Sequence, residues 1–271
     1  SCQRAQQAQD TLPAEVTIDL QASTTQDATA LTDLLQDVEC IPLETSLPAL
    51  LTRIVRIEPF EGDYYILDGE KKLILVFDKG GKFLRSLGAV GKGHGEYLSV
   101  ADFAIDHERR RVAILGGMAN LSQAYVYDLD GKFLFSKKLD ESPLWSLAGG
   151  RNGFLATTNH FTYTEGENAF LFYYFDKDFN FLHKHTPVLP KQMHHLGIMA
   201  ARLKTEQDRF VYSDTYTRQT YLLGDSGRIV QRLKYTMSNP MPYEAYDNFM
   251  KAQYEYSHID EETVAGDRVV T

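Results

Sequence analysis

One unit of about fifty residues recurs four times in this chain, and it limits the fold more than any other feature of the sequence. The copies read LVFDKGGKFLRSLG (75–88), YVYDLDGKFLFSKK (125–138), YYFDKDFNFLHKHT (173–186) and YLLGDSGRIVQRLK (221–234). Each joins an aromatic or β-branched run to a polar turn and then to a second alternating run. Their turn residues Gly81, Gly131, Phe179 and Gly227 are spaced 50, 48 and 48 residues apart. Alternating runs separated by Asp- and Gly-containing turns are hairpins. Gly supplies the positive φ such a turn needs, and Asp bonds its own backbone.

Two further apolar runs precede each hairpin, such as LLTRIVRIEP and DYYILDG before the first. Every period therefore holds four short strands, and no sustained 3.6-residue period separates them. Four strands per unit of this length is the pattern of a β-propeller blade. The expected fold is all-β, with four-stranded blades at about 51–88, 98–139, 143–186 and 196–235 and a partial fifth from about 258. Residues 1–14 are expected as a flexible tether and 15–271 as the propeller domain.

The stretch 87–106 packs Gly88, Gly91, Gly93 and Gly95 into eight positions before a new alternating run. These glycines fall after a fourth strand, where the chain crosses from the rim back to the axis and backbones crowd. They do not form a phosphate loop, because no G-x-x-x-x-G-K-[ST] is present and no helix follows.

These residues also resemble a known family. IPLETS (41–46), the VFDKGGKFLRSLG hairpin and the Gly91-x-Gly93-x-Gly95-Glu96-Tyr97 crossover are similar to the six-bladed β-propeller lipoproteins of the Gram-negative bacterial envelope, relatives of NHL-repeat propellers. The likeness covers roughly residues 37–235, and the crossovers after 139, 186 and 235 lack the glycine pattern. It implies six blades, of which this chain covers about four and a half; a fragment lacking a C-terminal part is expected, the alternative being a ring of fewer blades. It also implies that residues 37–45 close the ring as an outer strand of the last blade.

The chain has 271 residues, 43% of them hydrophobic, and a net charge of −9. That is enough for one large β domain. The acidic balance argues against nucleic acid and against an anionic membrane surface. No run of eighteen apolar residues exists to span a bilayer. Membrane contact is expected only through a lipid anchor at Cys2, which follows one small residue and precedes the polar stretch 3–11. The expected location is the cell envelope, as a periplasmic or surface lipoprotein. Cys40 reads as a small buried apolar residue. The run Arg109-Arg110-Arg111 reads as an exposed turn.

If strands alternate in direction, the loops after second and fourth strands share one face. These loops are long and irregular, whereas the third-strand turns on the other face are short. Long loops on a rigid scaffold are where binding residues gather. The candidate binding residues are His94, Glu96, Tyr97, Trp145, His160, Tyr163, His194 and His195. His183 and His185 share a strand face at a spacing that suits a metal pair, but no carboxylate or cysteine stands beside them in sequence. Residues 241–257 place Tyr243, Tyr246, Phe249, Met250 and Tyr254 at helical spacing, so one short inserted helix is expected there.

Catalytic motifs are absent: there is no G-x-S-x-G and no H-E-x-x-H. The function expected is non-catalytic binding or scaffolding, recognising a glycan, peptide or partner protein through the long-loop face, with no cofactor. The alternative is a propeller lyase or lactonase with a divalent cation in the central channel. Asp102, Asp106, Arg53, Arg56 and Arg202 on the first-strand segments are a thin set for that role. A third reading is a structural part of a larger assembly.

Overall fold

The computed structural model describes residues 14–20, 35, 37–118, 121–139, 143–160, 170–188, 203–214 and 217–237. Seventeen strands, and no helix, lie among the described residues. Three sheets have four strands: β2 (Ile54–Phe60), β3 (Asp63–Asp68), β4 (Leu73–Phe77) and β5 (Phe83–Leu87); β6 (Val100–Asp106), β7 (Arg111–Met118), β8 (Leu121–Asp128) and β9 (Phe133–Lys138); β10 (Ser146–Gly149), β11 (Gly153–Thr157), β12 (Phe170–Asp176) and β13 (Phe181–Pro187). The fourth sheet holds β14 (Leu203–Glu206), β15 (Arg209–Asp214), β16 (Gln219–Leu223) and β17 (Ile229–Thr236), plus β1 (Ala14–Asp19) on its outer edge. Neighbours within each unit run antiparallel, in chain order. This is a β-propeller of four described blades.

The core lies between sheets. Tyr65, Leu67, Ile74 and Val76 of the first sheet meet Phe103, Ile105, Val112 and Ile114 of the second. The second meets the third through Ala113, Leu115, Val126, Phe154 and Tyr173, and the third meets the fourth through Leu155, Phe172, Phe210 and Tyr212. Middle strands are covered on both faces and so read as continuous apolar runs, such as LILVF in β4. Outer strands alternate, because one face looks to solvent where blades splay apart.

The four turn residues share one conformation: φ is 83° at Gly81, 90° at Gly131, 58° at Phe179 and 69° at Gly227. Asp78, Asp128 and Asp176 each receive two backbone N–H groups from the turn that follows. Phe179 holds the left-handed conformation without being Gly. Its ring is buried and stacks on Phe154 at 4.3 Å. Burying a Phe side chain stabilises by roughly 1.5–3 kcal/mol, which offsets a conformational cost of about 1–2 kcal/mol.

Just past each turn the outer strand carries a β-bulge. Phe77 pairs Phe83 while Val76 pairs Arg85, so Leu84 is left over. Leu134, Leu182 and Val230 are left over in the same way. All four side chains are exposed.

Two expectations are corrected. Residues 37–45 form no strand; they lie along the first sheet, where the Glu44 N–H donates to Gly81 O and its carboxylate accepts from the Phe83 N–H. Leu43, Ala49 and Leu51 cover the outward flank of that sheet. Cys40, in the same segment, is exposed rather than buried. The added outer strand is β1, which pairs parallel with β17 from Ala14↔Gln231 to Asp19↔Thr236 and satisfies backbone groups that a bare edge would leave open. The expected helix at 241–257 lies outside the described residues, as do the partial fifth blade and residues 1–13.

Candidate functional site

The first strands β2, β6, β10 and β14 stand side by side around the axis. A β-bulge at Val55, and alternation beyond it, turn Arg56 and Glu58 toward the second sheet and leave Ile54 and Ile57 half exposed on the other side. The Arg56 guanidinium donates to both Asp102 oxygens at 3.1 Å, to Leu147 O at 2.8 Å and to Glu58 Oε2 at 2.8 Å. Asp102 also accepts from the Leu147 and Phe103 N–H groups. One cation thus ties three blades. Burial lowers the Arg56 pKa, but the charges of Asp102 and Glu58 outweigh it and hold the group above its ordinary value. Burial dominates at Asp102 and pushes its carboxyl up. Arg53 instead forms an exposed pair with Glu70, and Arg202 lies outside the described residues.

Below this belt the turns after the first strands converge, and a cleft of about 340 Å³ opens among the second, third and fourth sheets. Its walls are Ile105, His107 and Glu108 from the β6–β7 turn, Gly149–Arg151 from β10–β11, Lys177 from β12–β13, and Thr205 and Asp208 from β14–β15. The floor is bare backbone for a steric reason. A Cβ at Gly149 would stand 2.6 Å from Ile105 O, and one at Gly150 would stand 2.5 Å from the Phe210 ring.

The polar walls are organised. Arg151 Nη2 meets Asp208 Oδ2 at 2.5 Å, bridging third and fourth sheets, and the Thr205 hydroxyl donates to Gly149 O at 2.6 Å. Lys177 Nζ donates to Asp106 Oδ1 at 2.6 Å; Arg111 donates to Asp106 Oδ2 and to Lys177 O. Burial raises the Asp106 pKa, yet the Lys177 bond, the Arg109 N–H and Arg111 overcome it and hold the carboxyl below its usual range. Of the expected exposed basic turn, Arg109 and Arg110 are exposed, but Arg111 is largely buried in β7. The His107 ring lies flat on Phe60 at 4.6 Å.

The sequence candidates among the described residues are not gathered in one place. His94 meets the edge of Phe133 at 4.9 Å. Glu96 folds back on its own loop and accepts from the Gly93 N–H at 2.7 Å. Tyr97 is buried and donates to Lys72 O, and burial pushes its hydroxyl pKa far upward. Trp145 is half-buried at the start of the third sheet, where its backbone N–H donates to Thr157 O. His160 is buried, with Nε2 2.8 Å from Asp214 Oδ2 across the third and fourth sheets. Burial raises the Asp214 pKa, but bonds from His160 and Thr217 keep it low. Tyr163, His194, His195 and Cys2 lie outside the described residues. The cleft sits on the short-turn face, opposite the long loops, and sequence reasoning passed over its residues; the sharply charged DHERRR turn was the one signal pointing there.

His183 and His185 do share a face, with rings 5.7 Å apart. Their Nε2 atoms lie 2.8 Å from Ser226 O and 2.7 Å from Gly227 O. A carbonyl only accepts, so both Nε2 atoms carry protons and latch the fourth blade's turn to the third blade. That use removes both Nε2 atoms from metal binding. Among the described residues no three His, Cys, Asp or Glu side chains converge as a metal site.

Burial lowers the His185 pKa, helped by His183, Arg228 and Arg232 and opposed by the Gly227 bond. The folded value is thus below the unfolded value of about 6.5. As pH falls through 6.5 the unfolded chain gains a proton here that the folded chain does not, so stability declines. Urea midpoints measured above and below pH 6.5 should fall more steeply in the wild type than in His185→Gln; parallel profiles would refute this.

Comparisons with known proteins agree with this architecture. The family model described as a domain of unknown function, DUF4934, matches residues 15–265. A search of curated proteins gave no significant match. Among solved structures, a protein of Bacteroides fragilis provisionally described as exported superposes with a TM-score of 0.65 at 18% identity, over 82% of this chain and 60% of that one. This chain therefore spans about 60% of that protein's length, and the likeness concerns fold alone. An inactive virginiamycin B lyase from Staphylococcus aureus, solved with quinupristin, gives a TM-score of 0.43 at 15% identity, over 70% of this chain and 56% of that one. Glutaminyl cyclase from Myxococcus xanthus gives 0.40 at 10%, over 69% and 82%. No helix among the described residues is long and apolar enough to cross a membrane. With its repeated four-stranded unit and a match running from residue 15 to residue 265, the chain belongs to the DUF4934 family.

Proposed function

We propose that this chain is an exported, non-catalytic β-propeller that holds a glycan, peptide or protein partner, and that the cleft among its second, third and fourth sheets is where it does so. One observation carries the reading: turns from three blades bring polar side chains around a glycine floor, in a space of about 340 Å³. That volume falls within the range of small-ligand clefts, roughly 300–1,000 Å³. The exported description of the structurally similar Bacteroides fragilis protein supports an extracytoplasmic location. The six-bladed, lipid-anchored form of the resembled lipoproteins is part of the same proposal. Ile54 and Ile57 support it as half-exposed apolar surface of the kind a neighbouring sheet covers. Cys2 is the acylation site, and a fatty-acid label should be lost in Cys2→Ala. The long loops opposite, with His94 and Trp145, serve as a second contact surface for a large partner.

A thermal-shift screen with oligosaccharides and peptides tests the reading. At least one class should raise the unfolding temperature of the wild type, and a His107→Ala/Arg151→Ala variant should lose that response. The reading fails if no class acts, or if the response survives in the variant. A stoichiometric divalent ion bound to the purified protein would favour the lyase or lactonase alternative instead.

A further inference from the structure

Resting on the ligand-binding reading above, we infer that the cleft takes a neutral saccharide of one or two rings, in preference to an anion or a peptide. Charge is the first argument. Both cations in the wall arrive with carboxylates of their own: Lys177 with Asp106 at 2.6 Å and Arg151 with Asp208 at 2.5 Å. A phosphate or carboxylate would have to displace one of those bonds, and Glu108 on the rim adds repulsion. A neutral ligand leaves both pairs intact.

Hydrogen-bonding pattern is the second. A guanidinium paired with a carboxylate still presents unused N–H groups beside an unused carboxylate oxygen. Arg151 and Asp208 are both well exposed and offer this donor–acceptor edge to the solvent. Adjacent sugar hydroxyls, each of which donates and accepts, match it two at a time. A peptide finds no comparable ladder. The Gly150 N–H is taken by Gly153 O and Gly149 O by Thr205, so the floor has no free strand edge to extend.

Shape is the third. The His107 ring rests on Phe60 with an interplanar angle of 18°, and its side chain is 61% exposed. One face is thus fixed by stacking and the other is open as a flat platform for the C–H face of a pyranose. Gly149 and Gly150 line the same cleft.

The full chain, probed on an array of neutral, uronate-bearing and sialylated oligosaccharides beside acidic and neutral peptides, decides the matter, with calorimetric titration of the best binder. Neutral oligosaccharides should bind in preference to their charged analogues. His107→Ala and Arg151→Ala should each weaken binding roughly tenfold, about 1.4 kcal/mol. Arg151→Lys should recover little, since an ammonium lacks the planar fork. Both residues are exposed, so urea midpoints should stay close to wild type and separate a binding defect from a folding one. Binding of acidic glycans or peptides that depends on the same two residues overturns the saccharide inference and leaves the cleft assignment standing. Binding of neutral saccharides that ignores both substitutions overturns both.

Discussion

Replacing Asp102 with Ala should lower unfolding free energy by about 3–5 kcal/mol, the range seen when one partner of a buried ion pair is removed. The loss has three parts. Arg56 keeps its place among β2, β6 and β10 but retains only Glu58 and the Leu147 carbonyl as partners. The Leu147 and Phe103 N–H groups lose their acceptor as well. Arg56→Met should cost a comparable amount, because Asp102 is then left buried without its counter-ion and keeps only the two backbone donors. The double replacement should cost less than the sum of the singles, with a coupling on the order of 0.5–3 kcal/mol. Urea denaturation should show a lower midpoint at unchanged slope, with little dependence on salt, since the pair is shielded from solvent. A loss under about 1 kcal/mol would mean that the belt ties nothing together.

Gly88→Ala should destabilise by about 2–4 kcal/mol, combining an unfavourable backbone conformation with overpacking. Its φ is 92°, and a Cβ there would stand 2.0 Å from the Tyr97 hydroxyl oxygen. Tyr97 is buried and hydrogen-bonded to Lys72 O at 2.8 Å, so it has little room to retreat. Tyr97→Phe alone should cost about 0.5–1.5 kcal/mol for the lost bond. Added to Gly88→Ala, it removes the nearest atom in conflict, leaves the ring carbon at 2.9 Å, and should restore stability in part. Simple additivity of the two effects in chemical denaturation would argue against the packing described.

The blade frame was legible because it is written in local chemistry. A turn needing positive φ selects Gly, an Asx bond selects Asp, and both recur at one spacing; even Phe179, out of type for such a turn, is found in the left-handed region. The spacing of His183 and His185 also gave the right shared face. Their partners could not be foreseen, since a backbone carbonyl leaves no mark on the sequence. Arg56 and Asp102 are 46 residues apart, and nothing local announces that first strands of adjacent blades will face each other. The cleft was missed for a related reason. Short turns look uninformative singly, and only the wheel brings residues 105–108, 149–151 and 205–208 together. Strand β1 was hidden too, as six alternating residues without a hairpin signal to flag them.

The leftover residue in each outer strand has a consequence for how copies of this molecule behave in a crowded compartment. A regular rim would offer straight ladders along which wheels could zip rim to rim into fibres. Here the ladder is dislocated at the same place in each described blade, at Leu84, Leu134, Leu182 and Val230, so a straight strand can add only beyond that point, as β1 does along Gln231–Thr236 of β17. The dislocation thus shortens the stretch of each rim that a foreign strand could extend, and each copy of the unit carries it along.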